Sequence, residues 1–543
     1  MTGRAFVSFP GADYTHFAAA RAAQNILAPR GWIIDQGDPE HATIGPSQSS
    51  QERKDGNETE EKQAPLDYDL YLADYDLLPF EHLLPSSLEH NDKGKGKQPQ
   101  CSSYVIRKAL IRKHYLASAL HSYAVKTGGR AEIYTSCTPR TWHLEIQFAD
   151  ELEELLMDDL YDLGEVLEAN GTARQEARHD DVRWFILKPG MADRGNGIRI
   201  FSTLEQLEEI FREFEPDSDD DDDGDDENEE DAERGNNVAI DSARQAYAGK
   251  DTSIMASQLR HFVIQEYVQS PLLVDPVVNR SSESIATRLA SSLTLGSGDA
   301  PVMGPRKFHL RAYVVCVGGL SVYLHDDMLA LFAPLPYTPP STETMRDLRC
   351  HLTNTCLQED GSMAVGDDGR PKEENVFLWQ DLEGSRSLAT GTGSIPAPLS
   401  KDQIDGVRVR AAKVIGATFE AAAKAGAIHW QLWPNAFEIF GVDLLVSCSP
   451  STTTTISSST PTATEQCDGL EVKLLEINAQ PDFAQTGLRL SATIDGLFER
   501  TCEIAVLPFH GDVQATSLLD GWQVGESRRG TTLCFQEDLG RGF

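Results

Sequence analysis

Two carboxylates and an amide embedded in apolar strands constrain this chain more than any other feature. Asp443 interrupts the apolar run FEIFGVDLLV, and Glu476 and Asn478 interrupt EVKLLEINAQPD. In an extended strand Glu476 and Asn478 share one face, because side chains alternate. Buried carboxylates need partners, and oxygen ligands suit Mg²⁺. We therefore predict a magnesium site at these three residues, with a buried ion pair as the alternative.

Charge and composition exclude several classes of protein. The formal net charge is −37, and much of it lies in the run from Glu215 to Arg234, which we expect to be disordered. An acidic chain disfavours direct nucleic-acid binding. The absence of a long apolar run or a secretory signal predicts a cytoplasmic protein without a membrane segment. Nine scattered cysteines without a CxxC pair predict reduced thiols rather than disulfides or structural zinc.

Low-complexity tracts fall between the candidate elements and not inside them. Surface loops tolerate such insertions because lengthening a loop costs little. The remaining segments predict an α+β fold. Its main predicted elements are strands at Arg183–Leu187 and Ile198–Phe201, a helix opened by a Ser202–Glu205 capping box, a hairpin of Lys307–Val317 with Leu320–His325 turning at Gly318–Gly319, and a helix at Gln403–Gly426.

The loop KPGMADRGNG connects two predicted strands, and it carries features of a phosphate-binding flap. A P-loop or a dinucleotide-binding turn would open a helix instead. Gly195 and Gly197 would let backbone N–H groups approach phosphate oxygens, while Lys188 supplies a positive charge. Arg194 belongs to the same candidate set. An ordinary hairpin with a bulge is the alternative.

Two further strands carry candidate ligand contacts. The segment FVIQEYVQSPLLV is a strand followed by a linker, where an adenine edge could meet backbone groups; a plain core strand is the alternative. In RKFHLR, alternation places Lys307, His309 and Arg311 on one face of the strand. Three basic or titratable groups on one face predict an anionic ligand, with an exposed polar sheet face as the alternative.

The order of these motifs resembles the tubulin–tyrosine ligase family, within the ATP-grasp superfamily. The matching stretches are LIRKHYL, VIQEYVQSPLLV, RKFHLRAYVV, CHLTNTCLQ, FEIFGVDLL and LLEINAQPDFAQ. The resemblance implies an α+β ATP-grasp fold with a small N-terminal α/β domain. The domains we predict are residues 1–90 (insertion near 45–64), 101–275 (insertion 215–235), 301–510 (insertions near 359–400 and 447–468), and a tail at 511–543.

The resemblance also implies roles for the matched positions and a reaction. ATP would phosphorylate a protein or peptide carboxylate, an amino acid amine would attack the acyl-phosphate, and ADP and phosphate would leave. The implied cofactors are ATP and Mg²⁺. The catalytic residues are Arg311, Lys307 and Asn354; the nucleotide contacts are Lys113, Lys188, Arg194, Gly195, Gly197, Gln265, Glu266, Tyr267, Val268 and Thr353; the metal ligands are Asp443, Glu476 and Asn478.

The chain departs from the family pattern at two positions that face the substrate. The family usually has aspartate at His309 and an arginine at Leu331, and leucine cannot bind a carboxylate as arginine does. An acidic tubulin tail would also not be attracted by a net charge of −37. Two hypotheses remain: a ligase that modifies a protein or peptide carboxylate, or an Mg·ATP-binding partner of mRNA decapping factors that resides in P-bodies.

Overall fold

The elements below come from a computed structural model. It describes residues 3–37, 68–83, 98–128, 136–190, 197–214, 260–276, 304–353, 375–389, 397–448 and 469–539. The acidic run and the insertion predicted near 45–64 lie outside these ranges, as do residues 449–468 of the last predicted insertion. The insertion predicted near 359–400 is described from residue 375 onwards except for residues 390–396, and three short strands form in it. The strands are β1 Arg4–Ser8, β2 Ile33–Gln36, β3 Leu70–Ala73, β4 Gln100–Cys101, β5 Thr141–Glu145, β6 Phe185–Pro189, β7 Arg199–Phe201, β8 His261–Glu266, β9 Leu272–Asp275, β10 Arg306–Val317, β11 Ser321–His325, β12 Leu329–Phe332, β13 Val376–Leu378, β14 Arg386–Ala389, β15 Ala397–Pro398, β16 Phe437–Cys448, β17 Leu470–Ala479, β18 Ser527–Arg528 and β19 Thr531–Gln536.

The α-helices of the described residues cover the sheets. They are α1 Asp13–Ala22, α2 Phe80–Leu83, α3 Lys108–Ile111, α4 Lys113–Thr127, α5 Leu152–Met157, α6 Tyr161–Gln175, α7 Leu204–Phe214, α8 Lys401–Ala425, α9 Ser491–Thr501, α10 Leu507–Phe509 and α11 Val513–Leu519. Within these residues, no helix combines the length and apolarity that a bilayer crossing requires.

Three sheets form in the described residues, and each has its own topology. The N-terminal sheet is parallel, in the order β2-β1-β3-β4. The central sheet is antiparallel, in the order β5-β8-β6-β7, and a separate apolar core joins it to α5, α6 and α7. The largest sheet has eleven strands and is built around the long strands β10, β16 and β17.

Local sequence signals explain most of these elements. The predicted hairpin forms from β10 and β11, and Gly318 adopts φ +57° at its turn, a value that suits glycine. The long predicted helix is α8, which Ser400 and Gln403 open with a reciprocal capping box. The capping box predicted at Ser202 and Glu205 is shifted by one residue.

The shift at this helix has a simple cause. The helix begins at Leu204, so Thr203 is the capping residue, and its hydroxyl accepts a hydrogen bond from the Gln206 amide N at 3.3 Å. The Gln206 side chain in turn accepts from the Ser202 amide N at 2.9 Å. Glutamine therefore fills the role that the sequence pattern assigned to Glu205.

The structure distributes two segments differently from the predicted domain division. Residues 511–543 were set apart as a tail, yet α11, β18 and β19 form there, and β19 pairs with β11. Residues 101–127 were grouped with the central sheet, and α4 does contact β5 and β8 of that sheet, but it also packs against α8, and Cys101 forms a β-bridge with Ala436 beside β16. Both segments bury apolar side chains against the largest sheet, and sequence position alone does not reveal that.

The close packing of α8 on β19 gives a test of the role of the C-terminal strand. A Cβ atom at Gly416 would lie 2.4 Å from the Cys534 carbonyl oxygen. We therefore expect Gly416→Ala to lower the free energy of unfolding by about 1–3 kcal/mol in urea denaturation.

A second glycine of α8 provides the matched control. A Cβ atom at Gly406 would meet only the flexible end of Arg410. Gly406→Ala should therefore be neutral or stabilise the protein by up to about 1 kcal/mol. Equal effects of the two substitutions would contradict the packing of α8 on β19.

Candidate nucleotide and metal site

Strand register brings together residues that are far apart in the sequence. Arg311 on β10 is paired with Asp443 on β16, and Asp443 is paired with Glu476 on β17. The three side chains therefore form one row across three adjacent strands. A bulge after Asp443 lies at the same point. Bulges of this kind are common beside functional sites, where they redirect side chains.

In this row Asp443 accepts several hydrogen bonds, and the residue is only 4% exposed. The guanidinium of Arg311 donates two hydrogen bonds to its oxygens, from Nε at 2.5 Å and Nη2 at 3.2 Å. The Asn478 amide donates to Oδ2 at 3.3 Å. Burial lowers the pKa of Arg311, but the adjacent Asp443 has the larger, opposite effect and raises it, so the guanidinium remains charged. The ion pair that was the alternative reading of Asp443 is therefore present.

Glu476 faces lysines and is held in its ionised form. Its Oε2 lies 3.5 Å from Nζ of Lys113, at the start of α4. Burial raises the pKa of Glu476, but the positive charges of Lys113 and Lys188 outweigh that effect and lower it to about 2. The two carboxylates and the Asn478 amide thus lie together as the sequence predicted, with their charges balanced by cations. Among the described residues, no cluster of three His, Cys, Asp or Glu side chains forms a metal site on its own.

Two buried lysines lie beside this row and form no direct ion pair with a carboxylate among the described residues, although the nearby Glu476 and Asp443 favour the charged form of Lys188. Lys188 on β6 donates to the Gln265 side chain at 2.9 Å, and Lys307 on β10 donates to the Tyr267 hydroxyl at 3.3 Å. Burial lowers the pKa of Lys188 to about 8 and, with repulsion from Lys188, that of Lys307 to about 7. Both ammonium groups are costly to keep charged here, and an anionic ligand would remove that cost.

The segment predicted to line an adenine site lies next to these lysines. β8 ends at Glu266, and the Tyr267 amide N donates to the Trp184 carbonyl at 2.8 Å. Gln265, Glu266 and Val268 line a small cavity of about 60 Å³ together with Lys188, Lys307 and Asp443. Lys188, Gln265 and Glu476 also line a second cavity of about 400 Å³, which extends along α4. Most of the predicted nucleotide contacts in the described residues therefore line two cavities that share Lys188, Gln265 and Glu476 in their walls.

His351 is a site residue that the sequence analysis did not single out. Its Nδ1 lies 3.0 Å from the Tyr267 hydroxyl, which in turn contacts Lys307. Burial and Lys307 lower the pKa of His351 to about 4, so it is neutral and can accept a hydrogen bond. Its signal was its place in the matched stretch CHLTNTCLQ, two residues before Thr353.

The two departures from the family pattern face each other across neighbouring strands. His309 is paired with Leu331 of β12, and both side chains are buried. His309 Nδ1 hydrogen-bonds with the Thr353 hydroxyl, and its Nε2 lies 3.6 Å from Asp443. Leu331 packs in the apolar cluster that includes Val376. The position where the resemblance leads us to expect an arginine therefore lies in the apolar core.

The loop predicted to bind phosphate is described only in part. β6 and β7 pair as an antiparallel hairpin, as the sequence predicted. Gly197 adopts φ +70°, and a Cβ atom there would lie 2.7 Å from the Pro189 side chain, so this position requires glycine. Arg194, Gly195 and Asn354 lie outside the described residues.

Two sheets that face each other across buried lysines, with carboxylates on the strands of the larger one, define this protein as an ATP-grasp fold. A model of the tubulin–tyrosine ligase family matches residues 158–513. The chain belongs to the tubulin–tyrosine ligase family. That resemblance, stated from the motifs, is confirmed.

Individual relatives agree with this assignment. A probable tubulin–tyrosine ligase of Schizosaccharomyces pombe is 33% identical over 413 residues, which cover 76% of this chain and 78% of the relative. PBY1 of Saccharomyces cerevisiae, also a probable tubulin–tyrosine ligase, is 33% identical over 417 residues, but these cover only 43% of its length. This chain thus matches less than half of PBY1.

A solved structure supports the fold. The C-terminal domain of K. lactis Pby1, described as an ATP-grasp enzyme that interacts with the mRNA decapping enzyme Dcp2, has a TM-score of 0.53 to this chain. The comparison covers 99% of each chain at 23% sequence identity. At that identity the likeness shows the fold, and it confirms the predicted ATP-grasp architecture.

Proposed function

We propose that the protein is an ATP-dependent carboxylate–amine ligase that adds an amino acid to a protein or peptide carboxylate. One observation carries this proposal. Lys188 and Lys307 are buried and form no direct ion pair in the described residues, beside the row of Arg311, Asp443 and Glu476. Such a site suits a ligand that combines phosphates with a divalent cation.

The residues fit Mg·ATP by the chemistry of their donors. Lys188 and Lys307, with Lys113 beside Glu476, would neutralise phosphate oxygens. Asp443, Glu476 and the side-chain oxygen of Asn478 would hold Mg²⁺, which would polarise the transferred phosphoryl group. Because Arg311 already binds Asp443, it would hold that carboxylate in place and lie next to the reacting groups.

The proposed reaction has two steps. The γ-phosphoryl group moves to an oxygen of the acceptor carboxylate, and ADP leaves. The amino acid amine then attacks the activated carbonyl carbon, loses a proton and displaces phosphate. Arg311 and Lys307 would stabilise the negative charge that develops on the transferred group, and electrostatic stabilisation of this kind is often the largest catalytic contribution.

A second function is favoured by one specific observation. Leu331 is buried in the apolar core at the position where the resemblance leads us to expect an arginine, so the site would lack one group that binds a substrate carboxylate. The structural neighbour is described as interacting with a decapping enzyme. The alternative is therefore an Mg·ATP-binding protein that associates with mRNA decapping factors in cytoplasmic P-bodies and has lost ligase activity.

A transfer assay separates the two functions. The protein would be incubated with Mg·ATP, each labelled amino acid and a panel of acceptor peptides, alongside Glu476→Gln. Label that enters a peptide with wild type and not with Glu476→Gln supports the ligase. ATP binding without transfer to any acceptor, together with capture of a purified decapping enzyme, supports the interaction protein. Unchanged ATP binding by Glu476→Gln would contradict the assigned site under either function.

The lysine pKa values predict how nucleotide binding depends on pH. In the folded protein without nucleotide, the pKa is about 7 for Lys307 and about 8 for Lys188. Bound phosphates favour the charged lysines and raise both values, so the complex binds more protons than the free protein. Affinity should therefore fall as the pH rises from about 7 to about 9, by up to roughly tenfold per pH unit for each proton taken up.

Calorimetry provides the measurement. Titration of Mg·ATP in buffers of different ionisation enthalpy should show proton uptake near pH 8, and Lys307→Met should reduce that uptake. Binding with no net proton uptake over this range would show that phosphates do not contact these lysines.

A further inference from the structure

A cavity of about 880 Å³ lies apart from the nucleotide site, at one end of the N-terminal sheet. It shares no lining residue with the two cavities described above. β1 and β3 run side by side, with Ser8 opposite Ala73 at their carboxyl ends, and the next residues, Phe9 and Asp74, line the cavity. The chain leaves β1 towards β2 on one side and returns as β3 on the other. In parallel α/β sheets, ligands bind where the strand order reverses in this way.

The opposite wall of the cavity belongs to the largest sheet. It is formed by the first residues of β16 and by the turn from Gln480 to Ala484 that follows β17. This turn begins two residues after Asn478. A ligand in the cavity would therefore lie close to the carboxylate row without entering it.

All charged side chains that line this cavity are acidic. Four lining side chains are carboxylates, and none is lysine, arginine or histidine. Of these four, Glu438 is buried and is neutralised by Arg107 at 2.8 Å. The other three are Asp13, Asp74 and Asp482.

These three aspartates lie at the rim and are at least partly exposed. Asp74 and Asp482 accept hydrogen bonds from the backbone of the short turns that they cap, and Asp482 also accepts from the Gln485 amide. Among the described residues, no lysine or arginine forms an ion pair with any of the three aspartates. They leave a negative potential over the cavity mouth, which attracts cations and repels acidic peptides.

Aromatic side chains form part of the walls between the carboxylates. Phe9, Tyr14, Phe437, Phe483 and Phe498 contribute to the lining. Aromatic faces bind ammonium and guanidinium groups, and their edges pack against the alkyl stems of lysine and arginine. The cavity volume is near the upper end of the range for ligand pockets, so the cavity can hold more than one side chain.

We propose that this cavity binds a lysine- or arginine-bearing segment of a partner polypeptide. The aromatic walls take the alkyl stems, and Asp13, Asp74 and Asp482 bind the cationic groups at the rim. Because these contacts do not involve ATP, the proposal does not depend on ligase activity. It also differs from an acidic tail as the occupant, since such a tail would meet three unneutralised carboxylates.

Fluorescence anisotropy with the full chain tests the proposal. The probes are a labelled peptide of alternating lysine and serine and the same peptide with glutamate in place of lysine. We expect the lysine peptide to bind, with affinity that falls as salt is added, and the glutamate peptide not to bind. The triple substitution Asp13→Asn, Asp74→Asn and Asp482→Asn should weaken binding roughly tenfold, as expected for three partly exposed ion pairs.

The controls distinguish charge from folding. Asparagine also caps helices and turns, so the triple variant should fold. Asp512→Asn changes another capping aspartate, at α11 and beside Arg30, and should leave peptide binding unchanged. If the triple variant fails to fold, Ala484→Trp provides the test instead. Ala484 is an exposed residue of the cavity lining, so a tryptophan there narrows the cavity and should weaken peptide binding.

Three results would overturn the proposal. These are equal binding of the two peptides, no loss of binding in either the triple variant or Ala484→Trp, and complete competition by spermidine at matched charge concentration. The last result would assign the cavity to small amines. A failure of ATP-dependent transfer would leave these binding results unaffected, so the two proposals are tested separately.

Discussion

Replacement of Asp443 by alanine is expected to lower the free energy of unfolding by about 3–5 kcal/mol, the usual cost of leaving one partner of a buried ion pair alone. Arg311 donates two hydrogen bonds to Asp443, and both side chains are nearly buried. The Asn478 amide would also lose its acceptor. Urea denaturation followed by circular dichroism measures the effect, and Mg·ATP should no longer stabilise the variant.

A double variant separates the ion pair from simple loss of packing. Arg311→Met combined with Asp443→Leu removes both charges and keeps the volume similar. It should recover most of the stability lost in Asp443→Ala, because no unpaired charge remains. It should still fail to respond to Mg·ATP. If the double variant were as unstable as the single one, the loss would come from packing and not from the unpaired guanidinium.

Lys307→Met is expected to change stability and nucleotide affinity in opposite directions. Burial lowers the pKa of Lys307 to about 7, so the folded protein holds this charge at a cost. Removing it should raise the free energy of unfolding by about 1–3 kcal/mol at pH 7, less than the full pKa shift implies because the contact with the Tyr267 ring is also lost. Mg·ATP affinity should fall by about 10- to 100-fold, as for a lost hydrogen bond between charged groups.

Thermal unfolding with and without Mg·ATP measures both effects. Lys401→Met is the matched control, because Lys401 is exposed on α8 and pairs only with Asp405 among the described residues. Lys401→Met should change neither the free energy of unfolding nor the Mg·ATP affinity by a measurable amount. A Lys307→Met variant that is less stable than wild type and binds Mg·ATP normally would show that the lysine is structural. Opposed effects of one substitution are typical of a group retained for binding rather than for stability.

Much of the fold could be predicted because it depends on local patterns. Apolar runs of the right length predicted β6, β8, β10, β16 and β17, and the glycines at the turn of β10 and β11 predicted their hairpin. The Ala-rich segment predicted α8. The C-terminal strand β19 was missed because its only evidence is its partner, β11, about two hundred residues earlier in the chain. Local patterns do not report a pairing partner.

The candidate site was likewise predictable only where it depends on local patterns. Alternation along β10 and β17 was enough to place Lys307, His309 and Arg311 on one face and Glu476 with Asn478 on another. It could not show that Arg311 binds Asp443, because that contact depends on the register between β10 and β16. His351 was missed because its role arises from the Tyr267 hydroxyl, 84 residues away along the chain.

The environment of the carboxylates in β16 and β17 therefore follows partly from the sequence and partly from the tertiary structure. The sequence by itself determined which side chains share a face, since strand geometry repeats every two residues, and its motifs were sufficient to indicate the family. Only the tertiary structure decided which charges form ion pairs. Asp443 pairs with Arg311 and Glu476 with Lys113, whereas Lys188 and Lys307 form no direct ion pair within the described part of the chain. Charge balance depends on distances in three dimensions and on burial, and neither can be read from the order of residues.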